Sequence, residues 1–104
     1  MNNGYEIEWS DKATRDFDEI VQYLSNAWGK KIVRKFVRSV NDELVRICTF
    51  PYAFPASSVK TGVRRCVLSK FNTIYYQVKG NLIYIITIQD NRSDPDRLED
   101  FLNQ

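Results

Sequence analysis

The stretch FNTIYYQVKGNLIYIITIQ, residues 71–89, decides the fold. Thr73 to Val78 and Leu82 to Gln89 are both rich in β-branched and aromatic residues, and Lys79-Gly80-Asn81 between them supplies the glycine that a tight reversal favours. The two runs read as an antiparallel hairpin. In the second run Leu82, Tyr84, Ile86 and Ile88 fall on one face while Ile83 and Ile85 fall on the other. Apolar side chains on both faces call for cover on both sides, so this strand is expected to be central.

Upstream, Val63 to Leu68 is a third run of strand character, joined to the hairpin through Ser69-Lys70-Phe71-Asn72. It follows a loop, Pro51 to Gly62, that holds Pro51, Pro55, Ser57, Ser58 and Gly62. Before the loop the period changes. Ala13, Phe17, Ile20, Val21, Leu24 and Trp28 recur at intervals of three and four from Asp11 onward, with Ser10 placed as a cap. Gly29 ends that helix, and Ile32, Val33, Phe36, Val37, Val40, Leu44 and Ile47 continue the spacing to Pro51, which cannot donate into the helical ladder. These are two helices of a hairpin. At the amino end Tyr5, Ile7 and Trp9 alternate with Glu6 and Glu8, as in a short strand whose glutamates face water. The simplest sheet places this strand beside the last one, in the order two, three, four, one. Beyond it, Asp94-Pro95 opens a short tail helix through Phe101, whose Leu98, Phe101 and Leu102 are expected to cover the remaining apolar face.

The expected class is therefore α+β, with element order β-α-α-β-β-β. A helical hairpin packs on a small, mainly antiparallel sheet, with a short C-terminal helix, as one domain over residues 1–104.

Charge is distributed unevenly. The net charge is only +2, but between Ile20 and Gln89 the sole acids are Asp42 and Glu43. The same span holds Lys30, Lys31, Arg34, Lys35, Arg38, Arg46, Lys60, Arg64, Arg65, Lys70 and Lys79. A basic body with acidic flanks favours an acidic or polyanionic partner, although for Lys30 to Arg38 alone a solvated helix face is the plainer reading. Cys48 and Cys66 lack metal-ligand spacing, and the chain has no histidine, so neither a metal nor another cofactor is expected. Both cysteines sit among apolar neighbours and read as buried thiols of a reduced, cytoplasmic protein, with a disulfide between them as the alternative. Met1-Asn2-Asn3-Gly4 leads straight into the first strand without a signal stretch, and no run is long enough to span a bilayer. Ser57 and Ser58 have no histidine to activate them as nucleophiles.

Three local motifs, in order, carry a resemblance across nearly the whole chain. They are Val63-Arg64-Arg65 opening the second strand, Phe71-Asn72-Thr73-Ile74-Tyr75-Tyr76-Gln77-Val78 in the third, and Ile88-Gln89-Asp90-Asn91-Arg92-Ser93-Asp94-Pro95 after the fourth. With the long helical hairpin upstream, the chain resembles the RelE/ParE superfamily of type II toxin-antitoxin toxins, and it looks more ParE-like than RelE-like.

The resemblance implies a toxin held silent by a cognate antitoxin. It also implies one of two targets, because RelE-like members cleave messenger RNA on the ribosome whereas ParE-like members poison DNA gyrase without cutting anything themselves. RNA cleavage through the 2′-hydroxyl needs a base, cationic donors for the phosphorane and an acid for the leaving oxygen. Ribonucleolytic relatives commonly carry an arginine where this chain has Thr73, and a tyrosine or histidine after the fourth strand where it has Asp90-Asn91-Arg92-Ser93. The expectation is a gyrase-binding toxin with Arg64, Arg65, Arg92 and Lys60 toward the target and Lys30, Lys31, Arg34, Lys35 and Arg38 toward the antitoxin. The alternatives are a ribosome-dependent endoribonuclease in which Arg64, Arg65 and Arg92 hold phosphate, and an inactive toxin kept as an antitoxin-binding module. Arginines stay protonated and make poor proton shuttles. Tyr76, which matches the family's strand-three tyrosine, reads as a core ring with a satisfied hydroxyl, and Tyr75 as pointing to the opposite face.

Overall fold

The first strand, β1, spans Glu6–Trp9, and Ser10 follows it as the cap of helix α1, Asp11–Trp28. A computed structural model gives the fold, and it describes residues 4–58 and 60–90. Ser10 is extended, with φ −66° and ψ 160°, which lets its hydroxyl oxygen accept from the Ala13 N–H at 2.9 Å. At the far end Gly29 takes φ +88°, a region where a side chain would be strained, and its N–H closes on the carbonyls of Leu24 and Ser25. Helix α2, Lys30–Thr49, therefore begins at once. It stops where Pro51 has no N–H to give, and the Phe50 N–H makes the last bond, to the Arg46 carbonyl at 2.8 Å.

The remaining strands are β2 (Arg64–Val67), β3 (Asn72–Lys79) and β4 (Leu82–Asp90). The sheet order is β1-β4-β3-β2, with β1 parallel to β4 and the other two pairings antiparallel, so the β-α-α-β-β-β order and the central last strand are as expected. The helical hairpin lies on one face. Its stripe of Phe36, Val40, Leu44 and Ile47 packs against Ile74, Tyr76, Ile83 and Ile85 of the sheet, and all of these are buried. Trp9 meets Phe17 edge-on at 5.7 Å, and Phe17 meets Phe36 at the same separation, so rings join strand, first helix and second helix.

Two expectations from periodicity fail. Ile88 does not share a face with Leu82, Tyr84 and Ile86; it is buried in the core with Ile83 and Ile85. The cause is a β-bulge. Tyr75 pairs with Thr87 and Tyr76 with Ile85, so Ile86 is an extra residue in β4, and one extra residue reverses the facing of everything beyond it. Helix α1 supplies partners for the irregular backbone. Ser10 donates its hydroxyl to the Ile86 carbonyl at 2.6 Å, while the Asp16 carboxylate accepts from the Ile88 N–H at 3.2 Å and from the Thr87 hydroxyl. Trp28, read as the last residue of the buried stripe, is 67% exposed. The expected tail helix, with Leu98, Phe101 and Leu102, lies outside the described residues.

Candidate functional site

The two helices and the sheet line a groove of about 1110 Å³. Helix α1 contributes Ile20, Tyr23, Leu24 and Trp28 to one wall, and α2 contributes Ile32, Lys35, Phe36 and Ser39. Leu68, Phe71 and Ile88 of the sheet and its turn close the far side, with Glu19, Asp90, Lys12 and Asp16 also lining it. Tyr23, Trp28, Ile32 and Phe71 are exposed there, and an exposed apolar cluster of this kind marks a surface that associates. An open groove with apolar residues on its walls is the kind of surface that an amphipathic polypeptide segment fills.

The expected antitoxin-facing cations lie beside this groove. Lys35 lines it, and Lys30, Lys31, Arg34 and Arg38 are exposed along the same helix. Four of these charges occupy the first two turns of α2, which has no acid in its first turn and no side-chain cap. The amino end of a helix already carries partial positive charge, so this arrangement is locally unfavourable unless something acidic is brought to it.

Of the arginines read as target-binding, Arg64 and Arg65 are not brought together. Arg64 lies on the helix side of β2, where its Nη1 donates to the Phe54 carbonyl at 2.7 Å and the Tyr52 carbonyl at 3.2 Å, and its guanidinium lies 5.3 Å from the Tyr52 ring centre. It clamps the loop that follows α2. Arg65 points the other way and is exposed, since Cys66, its neighbour, is buried in the core. Lys60 belongs to the loop, where its carbonyl accepts from the Val63 N–H at 3.3 Å, and Arg92 lies outside the described residues.

Tyr76 is wholly buried and its hydroxyl donates to the Pro51 carbonyl at 2.7 Å, as the sequence reading anticipated. Burial raises its pKa well above the ordinary phenol value, so the hydroxyl stays a neutral donor that pins the loop. Thr73, at the position where the resemblance places a ribonuclease arginine, is 4% exposed and offers no cation. Sequence reasoning missed a different neighbour. Tyr75 stands opposite Arg65 in the β2–β3 register, on the face away from the helices, and its pKa is raised by burial and partly lowered by the Arg65 charge. Antiparallel pairing of the two runs was the available signal, but the register that makes them neighbours was not legible.

The two cysteines are free and buried. The Cys66 thiol donates to the Glu43 carboxylate at 3.1 Å, and burial first, then that hydrogen bond and the Glu43 charge, push its pKa up to about 12. Unfolded, it titrates near 9, so the native state holds the proton more tightly. The resulting stabilisation is complete below pH 9 and is lost as the pH rises from 9 toward 12. Alkaline denaturation should therefore become shallower in Cys66→Ala, and at pH 8 iodoacetamide should label Cys66 only after unfolding. Rapid labelling of the native thiol would contradict this burial.

Among the described residues no helix is long and apolar enough to cross a membrane. A chain of the chromosomal ParDE TA system from P. aeruginosa superposes with a TM-score of 0.72 at 22% identity, over 85% of this chain and 97% of that one. The YoeB/ParE toxin from Agrobacterium tumefaciens gives 0.61 at 13% identity, covering 82% and 96%. The YoeB-YefM complex from Staphylococcus aureus gives 0.53 at 18%, covering 82% and 94%. At these identities the likeness is one of fold. No curated protein sequence resembles the chain closely enough to count as a match. The family model of the ParE toxin of the type II toxin-antitoxin system, parDE, matches residues 7–95, and the chain belongs to that family, within the RelE/ParE superfamily.

Proposed function

We propose that this protein is a cytoplasmic toxin silenced by a cognate antitoxin, and that it acts by binding DNA gyrase rather than by cleaving RNA. The observation that carries the antitoxin half is the groove. A helix with an apolar stripe fits between Trp28, Ile32 and Phe71, and its acidic side chains would meet Lys35 and the other α2 cations. One structure of similar fold is itself a toxin in complex, YoeB with YefM. For the target, the support comes from the dispersal of the cations. Among the described residues Arg64 and Arg65 lie on opposite faces of β2, Tyr76 is sealed under the loop and Thr73 brings no charge, so a base, a phosphate clamp and an acid do not converge there.

The Arg65–Tyr75 pair favours a second reading, a ribosome-dependent endoribonuclease. Arg65 would hold phosphate there, Tyr75 would donate a proton, and the ribosome would supply the positioning. Purified protein should be assayed side by side for inhibition of gyrase supercoiling and for cleavage of ribosome-bound mRNA. The gyrase reading expects inhibition without cleavage, unchanged in Tyr75→Phe. Cleavage that falls about 100-fold or more in Arg65→Ala and in Tyr75→Phe, with supercoiling spared, would establish the ribonuclease instead. Growth that continues on overexpression would mark an inactive, antitoxin-binding module.

A further inference from the structure

At the opposite end of α2 from the cationic turns, the chain leaves the helix through Phe50, Pro51, Tyr52, Ala53, Phe54 and Pro55. Phe50 is 64% exposed and Tyr52 62%, although each follows or flanks a residue that is buried. Between Arg46, Phe50, Ala53, Phe54 and Pro55 lies a hollow of about 240 Å³. Its parts are fixed. The Phe54 ring packs edge-on against Tyr76 at 6.1 Å, Arg46 sits 5.3 Å from the centre of that same ring, and Arg64 holds the Phe54 carbonyl.

The charges around the hollow are unequal. Arg46 is neutralised by both oxygens of Glu43, at 2.8 and 2.9 Å. Arg64 is held by two neutral carbonyls and a ring, and no carboxylate among the described residues lies within ion-pairing distance of it. A guanidinium whose fork is already oriented loses little freedom when it donates to a carboxylate.

We infer that the hollow beside Phe50, with Tyr52 and Arg64 at its edge, is the surface by which this protein grips its target protein, and that the target offers an apolar side chain next to a carboxylate. Exposed aromatic rings, a preformed hollow for one side chain and an oriented arginine are the elements that concentrate binding energy at protein interfaces. A nucleic acid fits less well. The Tyr52 face that a base would stack on is covered by Arg64, and Glu43 stands beside the second arginine where a phosphate chain would run. This surface belongs to the C-terminal end of α2 and its loop, whereas the groove uses α2 no further along than Ser39.

The inference rests on the toxin reading, but growth arrest tests it whichever protein the target is. Phe50→Ser opens the hollow and Ala53→Glu fills it with the wrong charge; both positions are exposed, so folding should be retained. Arg64→Lys keeps the charge but loses the fork, and its thermal unfolding must be followed because Arg64 also holds the loop. With purified gyrase as the probe, Phe50→Ser and Ala53→Glu should each weaken inhibition of supercoiling by about ten-fold or more, and relieve growth arrest, with unchanged circular dichroism. If the parent protein arrests growth without inhibiting gyrase, yet both variants relieve the arrest, the surface stands and the gyrase assignment falls. Arrest at parental strength in both folded variants would overturn the surface. Phe50-dependent binding of single-stranded RNA by the purified chain would overturn the protein partner.

Discussion

Asp16→Ala is expected to lower the stability of this protein by about 2–4 kcal/mol, the cost of stranding two buried donors. The Asp16 carboxylate accepts from the Thr87 hydroxyl and the Ile88 N–H at the point where the bulge has interrupted the ladder. Thr87 is fully buried and Ile88 only 2% exposed, so water reaches neither easily once the carboxylate is gone. The ion pair between Lys12 and Asp16, at 2.8 Å, contributes much less, because the lysine is over a third exposed. Asn at position 16 retains an acceptor and should recover most of the loss. Urea denaturation of Asp16→Ala, Thr87→Val and the double variant gives the coupling. The valine should cost far less on the alanine background than on the parent. Additive losses, or a loss under about 0.5 kcal/mol for the alanine, would mean that the bulge is satisfied in some other way.

Reversing four charges on α2 is expected to have the largest effect on binding. Lys30, Lys31, Arg34 and Lys35 changed to glutamate should weaken the complex with the antitoxin by about 100-fold, at roughly 0.5–1 kcal/mol for each charge at an interface rim. The salt dependence of affinity should flatten or reverse as well. Folding should move the other way. Acids are favoured at a helix amino terminus, and reversal at position 34 places an acid four residues before Arg38 in place of a like-charge pair. A variant that is as stable as the parent, or more so, and yet fails to bind separates an interface role from a structural one. The partner for calorimetry is the cognate antitoxin. Unaltered affinity and salt dependence would remove this helix face from the interface.

Much of the architecture was legible because its causes are local. Ser10, Gly29 and Pro51 punctuate the two helices through capping, a positive φ and a missing N–H, and these act within a few residues. The central place of β4 followed from apolar residues on both its faces, and the place of β1 beside it was the simplest arrangement. The partition of Arg64 and Arg65 between two faces, and of Tyr75 and Tyr76, follows from a period of two. The site was less legible. That Arg64 would be held by the carbonyls of Tyr52 and Phe54, 12 and 10 residues away, depends on a loop geometry that no periodicity encodes. That Trp28 would form a groove wall depends on where the end of α1 comes to lie against α2 and the sheet, which its own periodicity does not encode.

The sequence by itself determined the succession of elements, the buried stripe of α2 and the concentration of cations between Ile20 and Gln89, because propensity, capping and charge are properties of neighbouring residues. Only the tertiary structure decided on which side Ile88 lies, which arginine is held by the loop carbonyls, and where the apolar stripe ends and the groove begins. A single inserted residue at Ile86 is invisible to alternation until a partner strand fixes the register, and Ser10 and Asp16, some seventy residues away, supply its hydrogen bonds.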